Sequence, residues 1–339
     1  MGRGGSGIVP VLGQGRVSIM FQDYKIAYLR KHVRVREATP LSFLRQSVAY
    51  VLSESARRIP HAAVIIHFDV TPLVEYGKSK NEEGSDSLDP KGILRRALNR
   101  NFSAFFIKTF AHALHHVPQM NGFLDYSPLR NGGTLYQAAD INLSFTVHTK
   151  FGVIKPIVRN PHQKDLDTVA QEMRTLARKA RRTDANELYM RAARTYVGIG
   201  LRELDFRALP AMWIWLRSAL FSRAASDPSL RNVPEDEKLQ VSDILGATCT
   251  IANIGMMFPG HQTVTVIIPP EVAMFGIGNL HLAPAVVDGK IVPRYVVTMS
   301  GTIDRRAYDG GEVFPIQEHI QRYIDNPALI YDWKPGDPV

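Results

Sequence analysis

The sequence predicts an α+β fold, with helices flanking a mostly antiparallel or mixed sheet. Two observations carry that prediction. Apolar runs rich in β-branched residues alternate with segments whose apolar residues recur at helical spacing. The balance of 45% apolar and 22% charged residues over 339 positions is that of a globular protein, large enough for one big domain or two modest ones.

The elements follow in order. Residues 1–39 read as an N-terminal arm, because Gly2 to Gly15 holds six glycines, a turn-rich composition. Gly2, Gly4 and Gly7 match the dinucleotide spacing, but no strand precedes them, so they do not make a phosphate loop. Leu41 to Ser55 places Leu41, Leu44, Val48, Val51 and Leu52 at helical spacing. Ala62 to Val70 reads as a strand and Ser103 to His116 as a buried helix. Ile141 to Val147 and Val153 to Val158 read as strands joined by a turn at Gly152, and Leu166 to Arg182 as an amphipathic helix. Cys249 to Asn253, Val264 to Ile268, Val272 to Ile277 and Tyr295 to Thr302 read as strands, and Val313 to Ile324 as the last helix. The expected division is therefore a domain of residues 40–182 and 246–330, a helical insertion at 183–245 and a C-terminal tail at 331–339.

The insertion holds an apolar helix from Leu209 to Arg223, with Pro210 in its first turn and Trp213 and Trp215 close together. Its apolar surface predicts a contact with its own core, another subunit or a partner protein; a membrane surface ranks below these. Composition constrains the chemistry further. One cysteine, Cys249, excludes an internal disulfide and suits a reducing compartment, so the expected location is cytoplasmic. No secretory leader and no run of 18 apolar residues is visible. The net charge of +9 favours anionic partners. The basic cluster from Arg174 to Arg182 reads as a solvated helix end, since cations are favoured near a C-terminus. No zinc-ligand spacing and no RNA-binding signature appears, so neither metal nor nucleic acid is expected.

A run of ordered motifs carries a resemblance. Pro40-Leu41-Ser42-Phe43-Leu44-Arg45, Ser53-Glu54-Ser55 with Ile59-Pro60-His61, and Asp69-Val70-Thr71 come first. Ala113-Leu114 with Pro118 and Asn121, Asp140-Ile141-Asn142, and Pro156-Ile157-Val158-Arg159-Asn160 follow. Thr250-Ile251-Ala252-Asn253-Ile254-Gly255-Met256 and Asp304-Arg305-Arg306-Ala307-Tyr308-Asp309-Gly310 close the set. In this order over residues 40 to 325 they resemble the catalytic domain of dihydrolipoamide acyltransferases, the core subunits of 2-oxoacid dehydrogenase complexes. The resemblance implies a trimer-forming fold like that of chloramphenicol acetyltransferase, with active sites between neighbouring subunits. It also implies assembly of trimers into a larger cage. Family members carry lipoyl domains upstream; none fits here, so an acyl group would have to come from a separate chain.

Two positions depart from the family pattern. The family signature D-H-R-x-x-D-G carries a histidine base where this chain has Arg305. An arginine side chain holds its proton at any working pH and cannot act as a base. The family serine that donates to the oxyanion is Ala252 here, which has no donor; Asn253 follows it. Asp309 and Gly310 are retained, and in the resembled fold this aspartate pairs with an arginine and holds the loop. Of the other histidines, His148, on the strand that lines the acceptor pocket in the resembled fold, is the candidate substitute base. Two functions therefore stand. One is an acyltransferase-like oligomeric scaffold or binding subunit without the family chemistry. The other is an active coenzyme A-dependent acyltransferase with a rearranged inter-subunit site. No cofactor is certain, and a coenzyme A thioester is the one the resemblance allows.

Overall fold

A computed structural model describes residues 24–79, 102–127, 131–150, 152–202, 213, 228–230, 232–253 and 263–339. The chain divides into two compact units, residues 1–41 and 42–339. In the first, residues 24–32 are helical. Most of the helix expected at Leu209 to Arg223 lies outside the described residues; Trp213 is helical and 66% exposed.

The second unit is built on a six-stranded mixed sheet. Its strands in chain order are β1 (His61–Asp69), β4 (Asn142–Phe145), β7 (Ile157–Arg159), β8 (Cys249–Asn253), β9 (Ala273–Val287) and β10 (Lys290–Asp304). Their spatial order is β1-β10-β9-β8-β4-β7. The β8 strand runs parallel to both β4 and β9, and the remaining pairs are antiparallel. Two separate ribbons accompany it: β2 (Gly122–Ser127) with β3 (Gly132–Gln137), and β5 (Val147–Thr149) with β6 (Gly152–Ile154).

The helices are α1 (Phe43–Arg58), α2 (Thr71–Ser79), α3 (Phe102–His116), α4 (Leu166–Arg181), α5 (Ala185–Arg202), α6 (Gly310–Asp325) and α7 (Ala328–Tyr331). Three of these starts have a local cause. Ser42 caps α1 by accepting from Arg45 N, and Asp165 caps α4 by accepting from Thr168 N at 2.8 Å. Asp309 and Glu312 form a reciprocal capping box at the start of α6. Residues Ala104 to Leu114 of α3 are all buried, and its Phe110 ring sits 4.7 Å from Phe275 of β9. One core therefore joins α3, α4, α6 and one face of the sheet.

The structure corrects several expected elements. The strands expected at Ile141–Val147 and Val153–Val158 are each broken in two. Their β4 and β7 halves pair in the sheet, while β5 and β6 leave it as a hairpin. The breaks fall at Thr146, whose Oγ1 accepts from Asn253 N, and at Lys155-Pro156, where proline has no N–H to offer a ladder. Val264–Ile268 is not a strand among the described residues. It keeps period-two burial, with Thr265 and Ile267 inside and Val264 and Val266 exposed. Side chains hold its backbone instead: Ser55 Oγ donates to Ile267 O at 2.5 Å and Ile267 N donates to His61 Nε2 at 3.3 Å.

The strands expected at Val272–Ile277 and Tyr295–Thr302 are parts of β9 and β10, which are 15 residues each and form one long hairpin. Asp288 and Gly289, both at positive φ, make its turn. A bulge sets Gly278 and Asn279 of β9 against Thr298 of β10. A Cβ on Gly278 would stand 2.7 Å from Thr298 O, so the close approach there requires glycine.

Candidate functional site

The site is organised by the loop that leaves β10 and enters α6. Asp304, 1% exposed, ends the strand and takes a two-pronged grip from Arg306: Nη2 donates to Oδ2 at 2.6 Å and Nε to Oδ1 at 3.0 Å. Asp304 N donates to Val272 O, and Arg305 N donates to Pro60 O at 3.1 Å. Tyr308 is buried and donates its hydroxyl to Gln119 O; burial pushes this phenol well above its usual range. At the far end, Asp309 N donates to Glu312 Oε2 at 2.6 Å. The loop is thus fixed at Asp304, Arg305, Tyr308 and Asp309, and the direction of Arg305 follows.

Arg305 Nη2 meets Asp309 Oδ1 at 2.7 Å, with side chains 40% and 81% exposed. Of the two nearest carboxylates in sequence, Asp304 is held by Arg306 and Asp309 takes Arg305. Gly310 lies against this pair, its Cβ position 3.9 Å from Arg305 Nη1. Arg305, Gly310 and Gln317 border a cavity of about 120 Å³ between the sheet and α6. Its walls are apolar and include Ile66, Phe68, Phe110, Met120, Phe275 and Ile316.

The other expected site residues lie elsewhere in the chain. Ala252, on β8, is buried in a small apolar cluster with Ile59, Ile267 and Met274. Its neighbour Asn253 donates Nδ2 to Ser103 Oγ at 2.9 Å. Residues 254–262 lie outside the described residues, Gly255, Met256 and His261 among them. His148 is exposed on β5, opposite Val153 of β6. His281 Nδ1 is 3.2 Å from Asn279 O. The histidine beside Arg305 is His61, which pairs across the sheet with Asp304. Its Nε2 accepts the N–H of Ile267, so that lone pair is committed to the backbone and is not available as a base.

Sequence reasoning missed two polar centres, the first of them buried. Glu271 Oε1 accepts from Thr250 Oγ1 at 2.8 Å, and Thr250 Oγ1 is 2.8 Å from Ser144 Oγ. Burial raises the Glu271 carboxyl and lowers the Lys155 ammonium, while their mutual attraction opposes both shifts. Cys249, beside them, is pushed well up by burial, which makes it an inert core thiol rather than a nucleophile. The second centre is a group of five histidines: His112, His115 and His116 on α3, His162 after β7, and His319 on α6. The His116 and His319 rings stack at 4.5 Å, and those of His115 and His162 at 5.5 Å. The α3 pair His115-His116 is visible in sequence; the partners from 162 and 319 are supplied only by the fold. No group of three metal-ligating side chains is arranged around a cation site among the described residues.

Comparison with known proteins places this geometry. The family model for the catalytic domain of 2-oxoacid dehydrogenases acyltransferase matches residues 34–197 and 227–331. The lipoamide acyltransferase component of the branched-chain alpha-keto acid dehydrogenase complex of Bacillus subtilis strain 168 is 25% identical over 296 residues, covering 86% of this chain and 54% of that protein. This chain spans about half the length of the curated relatives it matches. Dihydrolipoamide acetyltransferase of Azotobacter vinelandii superposes with a TM-score of 0.61 at 21% identity, over 88% of this chain and 95% of that one. The cubic core of a pyruvate dehydrogenase multienzyme complex gives the same score, identity and coverage. The fold is that of these acyltransferase cores.

Proposed function

The chain belongs to the 2-oxoacid dehydrogenase acyltransferase family, and from that premise we propose that it is an acyltransferase-like protein without the family's chemistry, serving as an oligomeric scaffold or binding subunit. The observation that carries this reading is Arg305. It occupies the histidine position of the family signature, and its guanidinium is engaged by Asp309 at 2.7 Å. A protonated arginine paired with a carboxylate has no lone pair to take a thiol proton. Ala252 presents a methyl group where the family serine would donate to an oxyanion. A lost oxyanion donor costs ~10²–10³ in rate, and a lost general base about 10²–10⁴.

Spacing supports the assignment of Arg305 and falls within one residue of that of Ala252. The Azotobacter enzyme was studied for the role of a serine, a histidine and an asparagine in its catalytic mechanism. There the serine precedes the histidine by 52 positions, and the histidine precedes the asparagine by 4. Here Ala252 precedes Arg305 by 53, and Arg305 precedes Asp309 by 4.

The assembly that goes with this reading is a homotrimer, with growth into a cage as its extension; one of the superposing structures is a cubic core. Residues 40–182 and 246–330 form its acyltransferase-like domain, and 183–245 is an insertion suited to a partner protein. The family match leaves only 198–226 unmatched, a narrower stretch within 183–245. Among the described residues no helix is long and apolar enough to cross a membrane. A cytoplasmic location accompanies the reading, since the single cysteine suits a reducing compartment.

The test is acetyl transfer from acetyl-coenzyme A to dihydrolipoamide. The pure protein should show no measurable turnover, and the Arg305→His, Ala252→Ser double variant should gain it. A wild-type rate within tenfold of an ordinary family member would sink the proposal. If that activity disappeared in His148→Gln, the rearranged-site alternative would take its place.

A further inference from the structure

We propose that the cavity beside Arg305 is a binding site for a small monocarboxylate with a compact apolar tail. The proposal deepens the reading above, since it rests on Arg305 acting as a fixed cation rather than as part of a proton-transfer site. Three features of the cavity point to this ligand class.

The first is the wall. On the sheet side, alternate residues of β1 and β10 (Ala62, Val64 and Ile66 with Met299 and Ile303) face it, and α6 closes it with Ile316. The pocket opens to solvent at Val64 and Phe314, and water against its apolar wall finds few polar partners, so an apolar tail displaces it readily. The second feature is size. At about 120 Å³ it is slightly smaller than a dry cavity known to take benzene. It therefore suits a tail of roughly five or six carbons rather than a long acyl chain.

The third feature is the rim. Arg305 borders the cavity with Gln317 and Gly310, so one guanidinium, one amide and a position without a side chain meet at its edge. Arg305 carries five donors in a planar fork that matches a carboxylate. Its partner Asp309 is 81% exposed, and an ion pair so open to water is weak. A ligand carboxylate can therefore share or replace that contact, while its tail enters the wall behind. A neutral amide or alcohol of the same length would fill the cavity and leave the arginine unused. An anion without a tail would meet the arginine and leave the cavity empty. Both halves of the ligand are thus specified.

The experiment is calorimetric titration of the full chain with hexanoate, hexanamide and acetate at fixed ionic strength. Hexanoate should bind at least tenfold more tightly than either of the others. Arg305→Met should bring hexanoate down to the hexanamide level. Val313→Phe, which adds bulk from α6 into the cavity, should abolish hexanoate binding, and Ala62→Leu does the same from β1 should the first variant fold poorly. Equal affinity for hexanoate and hexanamide in the wild type overturns the proposal. So does an absence of binding, the result expected if a side chain from a second copy filled the cavity. Acetyl transfer assayed on the same preparation keeps the two ideas separate: turnover there sinks the scaffold reading, whereas the titration alone decides the ligand.

Discussion

At the scale of single residues, the loop after β10 depends on a charge that sequence alone did not single out. Asp304 is 1% exposed and is gripped by Arg306 through both carboxylate oxygens. Removing one partner of a buried pair leaves the other without compensation, which costs roughly 3–5 kcal/mol. Arg306→Ala should therefore lower stability by that order in denaturant unfolding, and Arg306→Lys should recover little, since an ammonium cannot reproduce the fork. An Asp304→Asn, Arg306→Met double variant should lose less than Arg306→Ala alone, because no buried charge remains. Equal losses in the two would show that Asp304 is not held by Arg306. The motif made the residue type at Arg305 legible, and with it the proposal of a missing base. The resemblance implied that Asp309 pairs with an arginine, but not which one. Asp304 and Asp309 are both close in sequence, and only the geometry of the turn gives the first to Arg306 and the second to Arg305.

At the scale of elements, the meeting of α3, α6 and the turn after β7 makes stability depend on pH. Burial, then the charges of Lys108 and the neighbouring histidines, brings His112 down from 6.5 to about 3. Burial, then His115 and Lys108, brings His162 to about 4, with Asp140 opposing. His116 and His319 are lowered too, by burial first and then by Arg322 and, for His116, by the facing His319; Glu318 opposes the shift of His319. All four folded values lie below the unfolded one. Their contribution is therefore present above about pH 6.5 and is lost as pH falls toward 4 and 3, because the unfolded chain binds protons first. Melting temperature should fall over that window, and His162→Leu should flatten the slope between pH 6.5 and 4. A variant with an unchanged slope would remove His162 from the account. The sequence showed α3 and α6 as helices because their apolar spacing is complete within each. It could not show the histidine group, whose members come from three separate stretches. The same limit explains the sheet. Cys249–Asn253 reads correctly because the β-branched Thr250 and Ile251 lie between Cys249 and Ala252 in a short run without glycine or proline. The outer halves of β9 and β10 were missed because they carry Asn279, His281, Pro284, Pro293 and Arg294, which look like loop. Val264–Ile268 misled in the other direction, since its alternation is real but side chains, not a neighbouring strand, satisfy it.

At the scale of the whole molecule, the second unit exposes apolar side chains on β1 and on the β9–β10 hairpin. The edge strand β1 runs for nine residues with Val64 and Ile65 exposed on opposite faces. Its proline and charged guards, Pro60 and Asp69, stand only at its two ends, so the middle of the edge is open to another chain. The β9–β10 hairpin carries Val286 and Ile291 directly opposite each other near its turn, 73% and 78% exposed, with Leu282 exposed further along. In the proposed trimer, a cross-strand apolar pair at the end of an arm would add to its weak hairpin contribution by contact with a neighbour. Covering each such side chain is worth ~1.5–3 kcal/mol, so the pair supplies about 3–6 kcal/mol per protomer. The proposed trimer should then form without any ligand, and light scattering at micromolar concentration should give three chain masses. Val286→Asp with Ile291→Asp should shift the protein to a smaller species at the same concentration while leaving the melting of the isolated chain nearly unchanged, since both positions are exposed there. A wild type that is monomeric at micromolar concentration would count against the trimer itself. A double variant that stays trimeric would move the contact from the hairpin to the β1 edge, where Ile65→Lys is the corresponding test.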